Sequence, residues 1–147
     1  MSTHYQNIIV AVDGSEEADY AFKKAVLLAK ESNGTLIIAH VIDTRSFATV
    51  AAYDQSIAIK ADEFAHDLMD KYANSAAASG VANVKKAIEF GSPKVVIPKD
   101  LAKKYNADLI ICGATGLNAV ERFFIGSVSE GITRQAPCDV LIARLND

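Results

Sequence analysis

The chain has 147 residues, half of them hydrophobic and 22% charged, which is room for one domain with a substantial core and leaves a second domain unexpected. Its formal net charge of −3 provides no broad basic face, so non-specific binding to duplex DNA or RNA is not expected. The opening MSTHYQN runs directly into IIVAV and stops at Asp13, too short for a signal peptide or a membrane span. No other stretch approaches membrane length, and the expected location is the cytoplasm.

In chain order, five apolar runs read as strands: Ile8–Val12, Leu36–Val41, Val84–Ile88, Leu109–Cys112 and Val140–Ala143. They are nearly continuous in Ile, Val and Leu, the pattern of parallel strands covered on both faces. Between the first two, Ala18, Phe22, Ala25, Val26, Leu28 and Ala29 form a helical stripe that ends at Asn33-Gly34, a left-handed stop. After the second strand, Thr44–Tyr53 is a long connection without clear periodicity. Ile57, Ala61, Phe64, Ala65, Leu68 and Tyr72 then form a longer stripe that runs out at Ser79-Gly80. Ser92-Pro93 opens a helix carrying Val96, Ile97, Leu101 and Tyr105, with serine as cap and proline in the first turn. A last helix follows Ser127 and ends before Pro137.

This alternation predicts a doubly wound, Rossmann-like α/β fold with a five-stranded parallel sheet and right-handed crossovers. Cys112 closes one strand and Cys138 opens the next, so they should lie roughly 15 Å apart, beyond disulfide reach, as two buried reduced thiols.

Ligands of such sheets sit beyond the carboxyl ends of the strands, where the strand order reverses. Neither Gly-x-x-x-x-Gly-Lys-Ser/Thr nor a strand-following Gly-x-Gly-x-x-Gly occurs. The first helix opens with Ser15-Glu16-Glu17, whose acids suit the helix dipole and repel phosphate. The fourth strand is followed by Gly113 and Gly116, which let backbone amides approach an anion. Ten residues later Gly126-Ser127 opens the last helix, with unpaired N–H groups and the positive end of its dipole. Arg122, between them, could add charge. On spacing alone a second reading stays open, in which Gly113–Gly116 is a turn and Ser127-x-x-Glu130 a capping box.

The run Gly113-Ala114-Thr115-Gly116, nine residues, then Gly126-Ser127-Val128-Ser129-Glu130 resembles the ATP-binding branch of the universal stress protein family. The opening Ile8-Ile9-Val10-Ala11-Val12-Asp13-Gly14-Ser15 and the tail Ala136-Pro137-Cys138-Asp139-Val140-Leu141 are similar to that family's first and last strands, so the resemblance covers the whole chain. It implies a strand order of 3-2-1-4-5, with the cleft between strands one and four. It implies a nucleotide site that includes Ala11, Val12, Asp13, Gly14 and Ser15, with Val41 lining the adenine pocket beside Ala11. Gly113, Gly116, Gly126 and Ser127 would hold ribose and phosphates, with Val128 and Ser129 adjacent and Thr115 within the loop. Mg²⁺ (or Mn²⁺) would accompany the phosphates, near Asp13, in the absence of a clamping lysine. The family also implies a homodimer. That order puts the apolar strand Val140–Ala143 at the sheet edge, where a two-fold partner would cover it.

The remaining polar residues read as structural. His40 ends a buried strand as a hydrogen-bonded histidine, His66 and His4 face solvent, and Lys99, Lys103 and Lys104 complement a helix C-terminus. No histidine or cysteine pair has metal spacing. Functionally, a regulatory ATP-binding dimer is expected, ahead of a slow ATPase or phosphotransferase and of an interaction module with an empty cleft. Asp13 is the only carboxylate placed at the cleft, and no dedicated base accompanies it.

Overall fold

The computed structural model describes residues 5–43, 55–114 and 125–145. The Thr44–Tyr53 connection, Thr115, Gly116, Arg122 and His4 lie outside them. In chain order the elements are β1 (Asn7–Ala11), α1 (Glu16–Ser32), β2 (Thr35–Ile42), α2 (Ser56–Ala78) and β3 (Asn83–Phe90). There follow α3, built of the consecutive pieces Pro93–Val95, Val96–Leu101 and Ala102–Lys104, then β4 (Leu109–Gly113), α4 (Ser127–Gln135) and β5 (Asp139–Ala143). The strands form one parallel sheet in the order β3-β2-β1-β4-β5, the order that the family resemblance implies.

The sheet separates two apolar layers. Ile8, Val10 and Val12 pack with Ala18, Phe22 and Ala25 of α1 and with Met69 and Tyr72 of α2. On the other side Ile9, Ile37, Ala39, Ile110 and Cys112 pack with Ile97 and Leu101 of α3 and Ile132 of α4. Alternate residues of β1, β2 and β4 thus feed opposite cores, which is why those strands read as unbroken apolar runs.

The expectation of cover on both faces fails at the edges. In β3 only Ala87 is buried, and Lys85 and Lys86 are exposed; lysines blunt this open edge. In β5, Val140, Leu141 and Ile142 are only half-buried. Cys138 is likewise half-buried rather than buried. Cys112 lies in the core, and burial pushes its thiol pKa up to about 12, which keeps it protonated and unreactive. Cys112 aligns with Ile142, four residues beyond Cys138, so the two thiols stand at opposite ends of the sheet.

Helix ends follow local chemistry, with two corrections. Ser15 caps α1 by accepting from the Ala18 N–H at 3.1 Å, and Asn33 ends it in the left-handed conformation at φ 55°. Ser92 stands at the cap position of α3, but its hydroxyl makes no capping bond and is buried without a partner. Ser127 is the first residue of α4, behind a Gly126 cap that supplies no side-chain acceptor. The capping box that the spacing Ser127-x-x-Glu130 suggests is therefore not formed.

Pro98, buried in α3, lacks the N–H that the Lys94 carbonyl would accept in an α-helix. The helix widens there to π spacing over Val96–Leu101. The Lys94 carbonyl receives Gln135 Nε2 of α4 at 3.1 Å, which ties the two helices of this face together.

At the amino end of the sheet β1 and β4 are sewn together. Asp108 accepts from the Gln6 and Asn7 amides at 2.8 and 3.0 Å, and its own N–H donates to the Asn7 carbonyl at 3.0 Å. Asp108→Ala would orphan two strand-end donors and should cost about 1–2 kcal/mol. Urea unfolding checks this: the midpoint should fall with an unchanged slope.

Candidate functional site

The carboxyl end of the same strand pair is built in the opposite way. The β1–β4 ladder ends at Val10↔Ile111. Beyond that point each strand stays with its outer neighbour: the Val12 N–H donates to Ala39 O at 2.9 Å, and the Ala114 N–H donates to Ala143 O at 3.0 Å. The sheet therefore splits between Val12 and Ala114. This is where the order reverses: β1 leads to α1 and β4 leads to α4, helices packed on opposite faces of the sheet.

Side-chain alternation decides what lines the gap. Ala11 and Val41 face the α3/α4 side, Ala11 packed against that core and Val41 part of it. Val12 points the other way, into the α1/α2 core. Of the predicted adenine pocket, Ala11 and Val41 share a face, and Val12 contributes backbone only.

Asp13, half-buried, closes a tight turn in which its Oδ1 accepts from the Ser15 N–H at 2.9 Å. Gly14, at φ 86°, occupies the left-handed region that favours glycine. The Ser15 hydroxyl is buried and committed to the α1 cap. His40 Nδ1 lies 2.8 Å from Val12 O; a carbonyl only accepts, so the ring proton sits on that nitrogen. This histidine clips the end of β2 to the end of β1, the structural role expected for it.

Across the gap, α4 is pinned to the end of β4. The Gly126 N–H donates to Ala114 O at 2.8 Å, and Ser129 Oγ donates to the same carbonyl at 2.8 Å. Gly126 thus spends its own amide on the scaffold, and the buried Ser129 spends its hydroxyl there. The first bond of the helical ladder is Glu130 N–H to Gly126 O at 3.0 Å. The amides of Ser127, Val128 and Ser129 precede it, in the turn where an α-helix has no internal acceptors. Ser127 and Val128 are exposed and the cap residue Gly126 has no side chain to offer, so the positive end of the helix lies beside the gap.

Gly113 has a different reason to be glycine than the one its spacing suggests. A Cβ on it would lie 2.9 Å from Glu17 Cβ and 3.1 Å from the Glu17 carbonyl carbon. It lets α1 press against β4. Thr115 and Gly116 fall outside the described residues, so of the glycine-spaced loop the structure brings Gly113, Gly126, Ser127, Val128 and Ser129 to one sheet end with Ala11, Val41 and Asp13.

Sequence reasoning missed what lies behind the Asp13 turn. Phe64, read as part of a core stripe, is 54% exposed and meets His40 edge-on, with ring centroids 6.4 Å apart. The Tyr72 hydroxyl donates to Asp19 Oδ1. The only signal in the sequence was the placement of Phe64, Leu68 and Tyr72 at four-residue intervals. Among the described residues no cluster of three or more His, Cys, Asp or Glu side chains could hold a metal ion, and no helix is long and apolar enough to cross a membrane.

A five-stranded parallel sheet with this order, helices on both faces and a split at the reversal defines the Rossmann-like α/β class. Residues 4–144 match the model of the universal stress protein family, and the chain belongs to that family. The relative SH1215 of Staphylococcus haemolyticus, named for the same family, is 50% identical over 143 residues, 97% of this chain and 87% of that protein. Universal stress protein UspA from Lactobacillus plantarum superimposes with a TM-score of 0.84 at 32% identity, over 97% of this chain and 100% of that one. A universal stress protein solved in complex with cAMP superimposes with a TM-score of 0.69 at 27% identity, over 97% and 98% of the two chains.

Proposed function

We propose that this chain is an ATP-binding universal stress protein, acting in the cytoplasm as a dimeric regulatory protein whose bound nucleotide stabilises or switches the dimer. The observation that carries the reading is the split of the sheet between Val12 and Ala114, with the glycine-capped start of α4 beside it. An apolar wall (Ala11, Val41) next to first-turn amides suits a base at one end and phosphates at the other. The relative in complex with cAMP supports an adenine nucleotide as the ligand class. In this reading Ala11 and Val41 face the base, Asp13 and Gly14 lie beside the nucleoside, and the amides of Ser127, Val128 and Ser129 hold phosphate with Gly113, Thr115 and Gly116.

Mg²⁺ fits as a companion of the phosphates rather than as an ion in a protein cage. Only Asp13 offers a carboxylate at the turn, one of its oxygens already accepting from Ser15, and Mg²⁺ is commonly held by phosphates and water with one or two carboxylates. With the free Asp13 oxygen given to the ion, the turn offers no second carboxylate to take a proton from an attacking water, which favours a binder over an ATPase. Pairing through β5 gives the dimer: Val140, Leu141 and Ile142 are half-buried on an open edge, which a second copy's strand would cover.

Denaturing the purified protein and identifying any released nucleotide by chromatography tests the reading directly. Thermal melts with and without Mg·ATP test it where none is released. At a hundredfold excess over Kd the ligand adds about 2.7 kcal/mol, a shift of several degrees. An unchanged melting point at millimolar ATP would overturn it, and phosphate released over time separates an ATPase from a binder.

A further inference from the structure

The pairing of β1 with β2 runs in register from Asn7↔Thr35 to Ala11↔Ala39, so Val12 stands opposite His40. In a parallel ladder a residue so placed donates its N–H to the residue before its opposite number and accepts from the residue after it. Val12 keeps the donor part of that rule: its N–H reaches Ala39 O at 2.9 Å. The acceptor part calls for the Val41 N–H on Val12 O, and among the described residues that bond is not made. His40 Nδ1–H takes the carbonyl instead, at 2.8 Å. The ladder therefore stops one rung early. Val41 stays in register with Glu89 of β3, and its own N–H, on the β1 edge, is left unspent beside the split. The imidazole is steadied for this task by Phe64 of α2, which meets it edge-on with centroids 6.4 Å apart.

We propose that His40 is a positioning residue for the nucleotide site: by giving Val12 O a side-chain donor it ends the β1–β2 ladder early and keeps the Val41 N–H open at the split. Val41 is buried, and buried backbone donors are almost always paired. An aliphatic residue at position 40 would let this one close on Val12 O, whereas the histidine reserves it for an acceptor atom of the ligand. The effect on nucleotide binding rests on the reading above, and the early stop of the ladder does not.

Asparagine carries its amide nitrogen on Cγ, as histidine carries Nδ1, and leucine has the same branching with no donor. His40→Leu and His40→Asn in the full chain both lose the ring contact with Phe64, so they differ in the hydrogen bond. In His40→Leu the Val41 N–H should move onto Val12 O, and its hydrogen exchange should slow roughly tenfold. Loss of a merely structural contact would do the opposite. By calorimetry the same variant should bind Mg·ATP roughly tenfold more weakly, because the ladder has taken the donor. His40→Asn should match the parent in both measurements. A parent Val41 amide that exchanges as slowly as those of Ile37 and Ala39 overturns the proposal without any variant. A neutral His40 ring whose nitrogen resonances place the proton on Nε2 does so as well. Equal behaviour of the two variants, or a Val41 amide unmoved or faster in His40→Leu, is also fatal to it. If Val41 exchange slows in His40→Leu while the parent binds no ATP, the early stop of the ladder stands and the nucleotide reading is what fails.

Discussion

Gly131→Ala should lower the stability of the fold by about 1–3 kcal/mol, although alanine is the better helix former by about 0.8–1 kcal/mol. The sign follows from where the new methyl would go. Gly131 is buried in α4, and a Cβ there would stand 2.6 Å from Lys94 Cβ and 3.1 Å from the Lys94 carbonyl oxygen. Neither atom is the free end of a flexible side chain, so the helices themselves must part. They resist, because Gln135 Nε2 holds the Lys94 carbonyl and Ile132 sits in the core with Ile97 and Leu101. Separation would also swing the amino end of α4 away from the Ala114 carbonyl that anchors it, so any ATP-dependent rise in melting temperature should shrink in the same variant. Urea unfolding and melts with and without Mg·ATP read both effects. A variant as stable as the parent, or more so, would show that α3 and α4 slide freely and that Gly131 is no lock.

Gly131 also shows where the sequence stops being informative. It sits in a run, Ser129-Glu130-Gly131-Ile132, that gives no reason for a glycine until the opposite helix is in place. The reason, Lys94, is 37 positions away. Gly113 is a similar case: its spacing suggests a phosphate loop, but its tightest contact is with Glu17, which no local pattern connects to it. Features written in local chemistry were legible. Unbroken Ile/Val/Leu runs marked the central strands because alternate residues feed two cores, and Asn33 announced the end of α1 because asparagine tolerates the left-handed region. The strand order came with the family resemblance, and the position of the split follows from that order. Two local signals misled. Ser127-x-x-Glu130 matches a capping box in letters, yet the helix begins one residue earlier in register and Gly126 takes the cap. Val84–Ile88 reads with the buried strands, yet Lys85 and Lys86 stand inside it, and the exposed edge they mark is where the structure puts that strand.

Gly126→Asp should move the two quantities in opposite directions, with the ligand-free protein becoming more stable and its response to ATP disappearing. Gly126 has φ −70° and ψ 166°, an extended conformation open to any residue, so the backbone angles do not require glycine there. Its N–H bond to Ala114 O is available to any residue but proline. As a cap it supplies no side chain to accept from the first-turn amides. Aspartate would accept from the amides at the second or third helical position and would place a negative charge at the positive end of the dipole, together worth about 0.5–1 kcal/mol. The same carboxylate would occupy the donors that phosphate needs and repel its charge, so the roughly 2.7 kcal/mol expected from a hundredfold excess of Mg·ATP should vanish. A purely structural glycine predicts the reverse, a lower ligand-free melting temperature with the ATP response intact in whatever folds. Gly113→Ala supplies the contrast. Its methyl would collide with the Glu17 backbone, so it should cost about 1–3 kcal/mol with no ligand present. Melting both variants with and without Mg·ATP assigns each glycine its role: Gly113 to the packing of α1 on β4, and Gly126 to an anion at the start of α4.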